Sequence, residues 1–327
     1  MDKKETELRY DSLNDDWVII SPLRAERLKD KSSDCPFCNI EKQEKPILIY
    51  SNGVKNDVKD FNNWTTAVIP NKYPIFIPSQ KAGEEKENDI YSKIKSKGFH
   101  ELVITKDHEK SLALLPIDKI KEVFTCFQER IIDFKNYDFV KNVVIIHNHG
   151  KEAASSQPHP HSQIFTAPLI DKDLKIALDK HNDYFKKNNE CLRCKINREE
   201  KKLKERIVFE NKDFIAYIPF APKLVYQTII SPKKHTSRFE EITEKEKESL
   251  AEIFKEVLFR MYKGLNNPSY NFYLHTAPLD KEYPHFHWYF SIFPRISILA
   301  GFEIESQMKV LSIYPEDQAL FLRNQNK

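Results

Sequence analysis

One order of cysteine and histidine residues occurs twice in this 327-residue chain, and it constrains the fold more than any other feature. Each copy begins with a Cys-x-x-Cys pair, continues with one histidine and ends with a His-x-His sequence. The single histidine and the later one lie 51 residues apart in the first copy (159 minus 108) and 52 in the second (287 minus 235). Between them, each copy has apolar residues at helical spacing and then a short apolar run. We therefore expect an α+β fold of two tandem units, each an antiparallel sheet with a long helix.

The two units are expected to form two domains, residues 1–175 and 176–327. A charged stretch, 171–204, joins them and begins as a helix. The second cysteine and the single histidine are 70 residues apart in the first copy (108 minus 38) but 41 in the second (235 minus 194). The polar residues 81–97 account for much of this difference and are expected to form an excursion from the first unit.

Charge and hydropathy exclude several classes of partner. The net charge is +3, from 52 basic and 49 acidic residues, and the basic residues form no stripe. We therefore expect no nucleic-acid or membrane partner. The N-terminal residues are polar and lack the apolar core of a signal peptide, and no run approaches the ~18 apolar residues that span a bilayer. These features predict a cytoplasmic protein.

Four of the five cysteines fall into the two Cys-x-x-Cys pairs, while Cys126 lies among apolar residues and is expected to be buried. An odd count without a secretion signal argues against a disulfide framework. The first set is Cys35, Cys38, His108 and His159. Two sulfurs and two nitrogens are a normal tetrahedral Zn²⁺ set that leaves no position open, so the role would be structural. The alternative is a redox Cys-x-x-Cys with unrelated histidines.

A second zinc site is predicted from the parallel residues of the second copy. Cys191, Cys194 and His235 would be joined by His285 or His287, because the alignment of the two copies is ambiguous by two residues. The alternative is that the last two histidines are ordinary strand residues. The Cys191 pair is expected to form a knuckle-like turn, as at Cys35.

The His159-Pro-His161-x-Gln163 row follows a polar stretch and enters an apolar run. Residues i and i+2 of a strand point to the same face, so these three side chains would share one face. Such a row is a poor core and a good phosphate site. The upstream stretch, 148–156, adds small and polar groups that could bring N–H groups and hydroxyls to an anion.

This row resembles the active-site motif of the galactose-1-phosphate uridylyltransferase family, a branch of the histidine-triad superfamily. That superfamily has a His-x-His-x-His row, and the transferase branch has Gln in the last place, as at Gln163. The resemblance implies that His161 attacks phosphorus, with its N–H held by the backbone carbonyl of His159. The alternative is that His161 is a further zinc ligand or a structural histidine. Gln163 would donate to a phosphoryl oxygen.

The same resemblance extends over nearly the whole chain and implies further site residues and a homodimer. Segment 301–303 matches a Gly-aromatic-Glu sequence that binds the hexose and crosses to the partner subunit. The implied substrate-binding residues are Arg24, Arg27, Asn71, Asn148, Ser156, Gln163, Phe302 and Glu303. For the arginines, surface salt bridges are the alternative.

Parts of the sequence depart from the family pattern or resemble its ADP-glucose phosphorylase branch more closely. Lys72 stands where an acidic residue is usual, and Ser297 where a lysine is usual. The His preceding Trp288 binds a second zinc in the phosphorylase branch, which favours His287. Tyr289 and Ser291 stand where a later histidine pair would bind the second metal of some uridylyltransferases.

The sequence therefore predicts a nucleotidyltransferase that exchanges a nucleotidyl group between a nucleotide sugar and a sugar 1-phosphate. The first hypothesis is UDP-glucose with galactose 1-phosphate, as in galactose metabolism. The second is an adenylyltransferase that uses ADP-glucose with phosphate. Two other classes remain open, a nucleotide hydrolase of the histidine-triad type and a zinc-ribbon-like binding module without catalysis.

Overall fold

The computed structural model describes residues 6–26, 35–79, 84–86 and 88–325. Its main feature is one antiparallel sheet of eleven strands. In spatial order these are β11 (Ile207–Glu210), β12 (Phe214–Tyr217), β13 (Thr228–Pro232), β15 (Tyr289–Pro294), β14 (Tyr270–His275), β9 (Asn142–His149), β10 (His161–Ala167), β8 (His100–Thr105), β5 (Thr66–Pro70), β3 (Leu48–Ser51) and β4 (Val54–Lys55). A second antiparallel sheet has the order β2 (Asp16–Ile20), β1 (Glu7–Asp11), β7 (Ser92–Lys95) and β6 (Glu84–Lys86).

The helices are α1 (Leu23–Glu26), α2 (Ile117–Phe134), α3 (Lys172–Asn188), α4 (Leu192–Leu203), α5 (Glu244–Gly264), α6 (Gly301–Ser306) and α7 (Pro315–Arg323). The long helices α2 and α5 belong to the first and second copy of the repeat and pack against each other. Each copy thus contributes antiparallel strands and one long helix, which confirms the predicted fold class. No helix in the described part of the chain has the length and hydropathy needed to cross a bilayer.

The strands of the two copies join into a single sheet through β9 and β14. These strands pair antiparallel, from Tyr270 opposite His149 to Leu274 opposite Ile145. An unpaired strand edge would leave a row of N–H and C=O groups without partners, and this pairing satisfies both edges at once. The two units therefore share one continuous sheet, where the sequence alone predicts a sheet in each.

One face of this sheet is covered by α2 and α5, and the main core lies between them. Phe254 of α5 meets Phe124 of α2 edge to face, with ring centroids 5.1 Å apart. Phe254 also meets Phe272 and Phe290 of the sheet, at 5.2 and 5.0 Å. Cys126 is fully buried in the same core, as expected from its apolar neighbours. The opposite face, called the open face below, carries polar side chains beside smaller apolar clusters.

The small sheet packs on the open face of the first copy. Leu8 of β1 lies in a cluster with Phe76 and with Phe165 of β10. Its strands β6 and β7 come from residues 81–97, the polar stretch expected to be an excursion from the first unit. Part of this stretch therefore forms strands of the small sheet. In β7, lysines alternate with Ile94, which is only a weak sequence signal for a strand. β7 forms because its backbone can pair with the free edge of β1.

The two Cys-x-x-Cys pairs lie in different local structures. Cys35 and Cys38 form a turn in which the Cys38 N–H donates to the Cys35 carbonyl at 3.3 Å. The predicted turn at the second pair is wrong, because Cys191 is the N-cap of α4 and Cys194 lies in its first turn. The residues that follow Cys194 are rich in Lys and Glu, which favour a helix.

Candidate active site

His161 is the first residue of β10, on the open face and between two paired strands. Its side chain is 7% exposed, and its Nδ1 lies 2.9 Å from the backbone carbonyl of His159. A carbonyl can only accept, so Nδ1 carries the proton and the lone pair of the neutral ring is on Nε2. The ring of Phe37 lies against the imidazole, with centroids 5.0 Å apart. This arrangement gives His161 a fixed tautomer with a nucleophilic Nε2.

The first cysteine–histidine cluster holds His159 directly beside this ring. The ligand atoms of Cys35, Cys38, His108 and His159 all lie within 4.8 Å of one another. The Nδ1 of His159 is 3.5 and 3.6 Å from the two sulfurs and 3.2 Å from Nδ1 of His108. The Sγ of Cys38 is 3.1 Å from the Nδ1 of His108. The Cys turn and two separate strand ends therefore converge on one point.

These distances fit a metal ion at the centre. With Zn–S near 2.3 Å and Zn–N near 2.0 Å, a tetrahedron has edges of roughly 3.3–3.8 Å between ligand atoms. The Nε2 of His159 is 2.7 Å from the Thr105 carbonyl, which keeps the proton on that nitrogen and leaves Nδ1 for a cation. Burial and the neighbouring Cys35 raise the pKa of Cys38, so they disfavour its thiolate form. A bound cation would act in the opposite direction, because it favours the thiolate.

The second cluster has the same composition and places Cys191, Cys194, His235 and His287 within 4.8 Å. The Nδ1 of His287 is 3.9 and 3.4 Å from the two sulfurs. Each histidine holds a backbone carbonyl with Nε2, at 2.8 Å for His235 and 3.0 Å for His287. The hydrogen bond between the sulfurs lowers the pKa of Cys191 and raises that of Cys194. His287, and not His285, completes this group.

Gln163 lies two residues beyond His161 on the same face, and a histidine that the sequence motif does not include holds its side chain. The N–H of Ile75 donates to Nδ1 of His100 at 3.2 Å, and Nε2 of the same ring faces the site. That nitrogen is 3.0 Å from Oε1 of Gln163, which turns the amide N–H₂ of Gln163 away from His100. His100 is 4% exposed and stacks on Phe165.

His100 could not be identified by its spacing, because it is 63 residues from Gln163 in the chain. Its only signal is a histidine at the start of a strand whose centre, Leu102, Val103 and Ile104, is apolar. Asn71, a predicted substrate-binding residue, lies at the same point, since its amide nitrogen is 2.9 Å from Nε2 of His100. Asn71 follows β5, and its Oδ1 accepts from the Tyr73 N–H at 2.9 Å.

Asn148 and Ser156 lie in the segment that precedes His161. Asn148 is in β9, and the register of β9 with β10 places Ser162 opposite His147. Continuing this register by one residue sets Asn148 beside His161 on the open face. Ser156 is exposed in the loop between the two strands.

Other predicted residues lie outside this group or outside the described part of the chain. Arg24 is exposed in α1, whereas Arg27 lies outside the described residues. Phe302 is 58% exposed in α6. The carboxylate of Glu303 accepts from the N–H groups of Ala300 and Val310, at 2.7 and 3.3 Å, so it caps its own segment. The roles of these four residues stay predictions.

Two antiparallel units, each with a sulfur–nitrogen cluster, and a histidine held by the carbonyl of a clustered histidine define a protein with tandem histidine-triad-like units. Comparison with known proteins narrows this class. The profile described as galactose-1-phosphate uridyl transferase, N-terminal domain, matches residues 1–171, and that of the C-terminal domain matches residues 177–319. The chain belongs to the galactose-1-phosphate uridylyltransferase family, and is thereby a transferase.

Relatives with two different activities resemble the chain over nearly its full length. ADP-glucose phosphorylase from Arabidopsis thaliana is 30% identical, covering 99% of this chain and 94% of the relative. Galactose-1-phosphate uridylyltransferase from Thermotoga maritima is 28% identical, covering 97% of this chain and 98% of the relative. A solved uridylyltransferase structure superposes with a TM-score of 0.84 at 26% identity, covering 98% of both chains.

Proposed function

We propose that this protein transfers a nucleotidyl group between a nucleotide sugar and a sugar 1-phosphate, with His161 as the covalent carrier. The observation that supports this most is the bond from Nδ1 of His161 to the His159 carbonyl, which sets a nucleophilic nitrogen on the open face. The preferred substrates are UDP-glucose and galactose 1-phosphate, and the name of the Thermotoga relative supports the galactose 1-phosphate and the uridylyl group. Catalysis is assigned to the unit of residues 1–175, with residues 176–327 as the second domain.

In the first step, the lone pair on Nε2 of His161 attacks the α-phosphorus of the nucleotide sugar. A P–N bond forms, and the bond from phosphorus to the bridging oxygen breaks, so hexose 1-phosphate leaves with that electron pair. The ring becomes positively charged, and its Nδ1–H bond to the His159 carbonyl strengthens. In the second step, a phosphate oxygen of the acceptor displaces the histidine. Two in-line displacements give net retention of configuration at phosphorus.

Gln163 serves this reaction as a donor and not as an acid. An amide cannot protonate a leaving group, but a sugar phosphate is a stable anion and needs little protonation. The amide N–H₂ of Gln163, turned away from His100, can donate to a nonbridging phosphoryl oxygen as negative charge shifts. Arg24, Arg27, Asn71 and Ser156 are proposed to bind the rest of the nucleotide.

Zinc is the proposed occupant of both cysteine–histidine clusters, bound by Cys35, Cys38, His108 and His159 in one and by Cys191, Cys194, His235 and His287 in the other. Four protein ligands leave no site for substrate, so the ion would supply only a structural cross-link. In the first cluster, that cross-link would hold the His159 carbonyl against His161. A cytoplasmic location, where thiols stay reduced, is part of this proposal.

An adenylyl-transferring function that resembles ADP-glucose phosphorylase is the second candidate. The Arabidopsis relative covers 99% of this chain, and it favours ADP-glucose with phosphate as the acceptor. Lys72 and Ser297 depart from the residues usual in uridylyltransferases. Both candidates use the same covalent step at His161, and they differ only in the base and the acceptor.

A homodimer is proposed from the apolar surface near the C-terminus. Ile298, Phe302, Met308 and Val310 are exposed by 97, 58, 61 and 67%. Large apolar side chains grouped in one exposed segment are typical of a protein interface. A second copy of the chain would cover them and would bring Phe302 and Glu303 to the sugar of its partner.

The test is covalent labelling with UDP-glucose or ADP-glucose that carries ³²P at the α-phosphorus. Without an acceptor, the protein should become labelled, and the label should be stable in base and lost in acid, as for a phosphorus–nitrogen bond. Galactose 1-phosphate or inorganic phosphate should then remove it. The His161→Asn variant should take up no label, whereas His285→Asn, a matched change in the second unit and outside both cysteine–histidine clusters, should be labelled like the wild type.

The outcomes separate the candidate functions. The donor that labels the protein identifies the base, and the acceptor that removes the label identifies the second substrate. Release of free UMP or AMP without an acceptor would favour a hydrolase. Labelling of the His161→Asn variant would remove His161 from the mechanism, and a wild type that never takes up label would overturn nucleotidyl transfer.

A further inference from the structure

A row of polar side chains crosses the open face from His161 into the second unit. Asn148 of β9 lies opposite Asn271 of β14, and Asn271 is only 4% exposed. The Nδ2 of Asn271 donates to Oδ1 of Asn148 at 2.7 Å and to the Ala153 carbonyl at 3.0 Å. Arg295, directly after β15, donates through Nε to Oδ1 of Asn271. The row therefore links a side chain beside His161 to an arginine of the other unit.

The chemistry of the two ends fixes the orientation of every amide in this row. A guanidinium can only donate, so the group of Asn271 that faces Arg295 must be its oxygen. A carbonyl can only accept, so the group that faces Ala153 must be the Asn271 nitrogen. Both constraints agree, and the same nitrogen then requires an oxygen from Asn148. No other assignment satisfies all the contacts.

The consequence falls on the free end of the Asn148 amide. With its oxygen directed to Asn271 of β14, the N–H₂ group of Asn148 is the end of the amide that does not face β14. An N–H₂ group attracts a phosphoryl oxygen, whereas the amide oxygen would repel it. A side-chain amide that could rotate freely would present either group.

We propose that Asn271 and Arg295 are positioning residues that hold the Asn148 amide with its N–H₂ group toward the phosphoryl group at His161. This inference rests on the proposed function, because it assigns a phosphoryl ligand to that site. The guanidinium of Arg295 donates to the amide oxygen of Asn271 and to the Tyr273 hydroxyl, and to no carboxylate among the described residues, so its charge polarises the row in one direction. Its Nη2 is also held, by the Tyr273 hydroxyl at 3.2 Å.

The test is the isosteric change Asn271→Asp, alone and together with Asn148→Ala. Aspartate can still accept from Arg295, but it cannot donate to Asn148, whose amide should then rotate and present its oxygen to the ligand. Binding of UMP and AMP is measured by calorimetry, because it needs no turnover. We expect Asn271→Asp to weaken binding of the preferred nucleotide at least tenfold, and to have no further effect in the Asn148→Ala background. Asn188→Asp, the same change on the surface of α3, should bind like the wild type.

A merely structural role for Asn271 would weaken binding equally in both backgrounds, and that result would overturn the proposal, as would wild-type affinity in Asn271→Asp. If Asn271→Asp does not fold, Arg295→Gln in the same two backgrounds decides in the same way, with an expected loss of about threefold or more. If the wild type binds nucleotide but never becomes labelled, covalent transfer is refuted. The positioning role of Asn271 can still be measured in that case, because calorimetry needs no turnover. A wild type that binds neither nucleotide overturns both proposals.

Discussion

The buried ion pair between α2 and β8 gives a stability prediction with an internal control. Arg130 donates to both carboxylate oxygens of Glu101, at 2.6 and 2.7 Å, and the two side chains are 7 and 3% exposed. The same guanidinium meets Asp133 at 2.8 Å, but the Asp133 side chain is 42% exposed. One arginine thus has two carboxylate partners that differ mainly in burial.

The expected cost follows from burial. Removing one partner of a buried pair costs roughly 3–5 kcal/mol because the other charge stays in a poorly solvated place, whereas an exposed pair contributes roughly 0–1 kcal/mol. Glu101→Gln keeps the shape and one acceptor oxygen, and Asp133 still compensates part of the charge, so we expect about 3 kcal/mol. Asp133→Asn should cost less than about 1 kcal/mol.

Urea unfolding, followed by the fluorescence of the three tryptophans, measures both changes. We expect the midpoint to fall for Glu101→Gln with an unchanged slope, and to move little for Asp133→Asn. Equal losses in the two variants, or a loss below about 1 kcal/mol for Glu101→Gln, would refute the argument from burial. Zinc content, measured in parallel, should be the same in both variants, because neither residue lies in a cysteine–histidine cluster.

Three further predictions concern the second cluster, the shared core and acid stability. His287→Gln should reduce the zinc content by about one equivalent because it removes a ligand, whereas His285→Gln should not, as metal analysis would show. Phe254→Ala should cost about 3–5 kcal/mol in urea unfolding, since it leaves a cavity between the two units. Burial lowers the pKa of His275 to about 3, while in an unfolded chain it titrates near 6.5. Between these values the unfolded state binds the extra proton, so stability falls on acidification, by up to about 3 kcal/mol at pH 4, and His275→Phe should lose less.

Each of these has a result that would contradict it. Equal zinc loss in the His287→Gln and His285→Gln variants would reject the assignment of His287, and not His285, as the fourth ligand. A loss below about 1 kcal/mol for Phe254→Ala would mean that the joint core contributes little to stability. If the wild type and His275→Phe lost the same stability between pH 7 and pH 4, the proton uptake would belong to other groups.

Much of the site follows from short-range spacing. The i, i+2 rule for strands sets His161 and Gln163 on one face, and the duplicated order of cysteines and histidines predicts two clusters of four. The amphipathic spacing of α2 and α5 indicates the long helices directly. These features could be predicted because each depends on residues close together in the chain, or because the same pattern occurs in both copies of the repeat.

Other features depend on partners that the chain brings together only when it folds. His100 meets Gln163, and Arg295 reaches Asn271, through contacts between strands that no local pattern relates. Strands β6 and β7 of the small sheet and the helix at Cys191 were also missed, because a free strand edge or a run of helix formers outweighed the local motif.

The sequence by itself determined the repeated unit, the cysteine–histidine sets and the histidine beside them, because each depends on residue type and short spacing. Only the tertiary structure decided that the two units share one sheet and which group each side-chain amide presents to the open face. Those outcomes depend on which donors and acceptors meet across strands, and hydrogen-bond complementarity acts on neighbours in space whatever their separation in the chain.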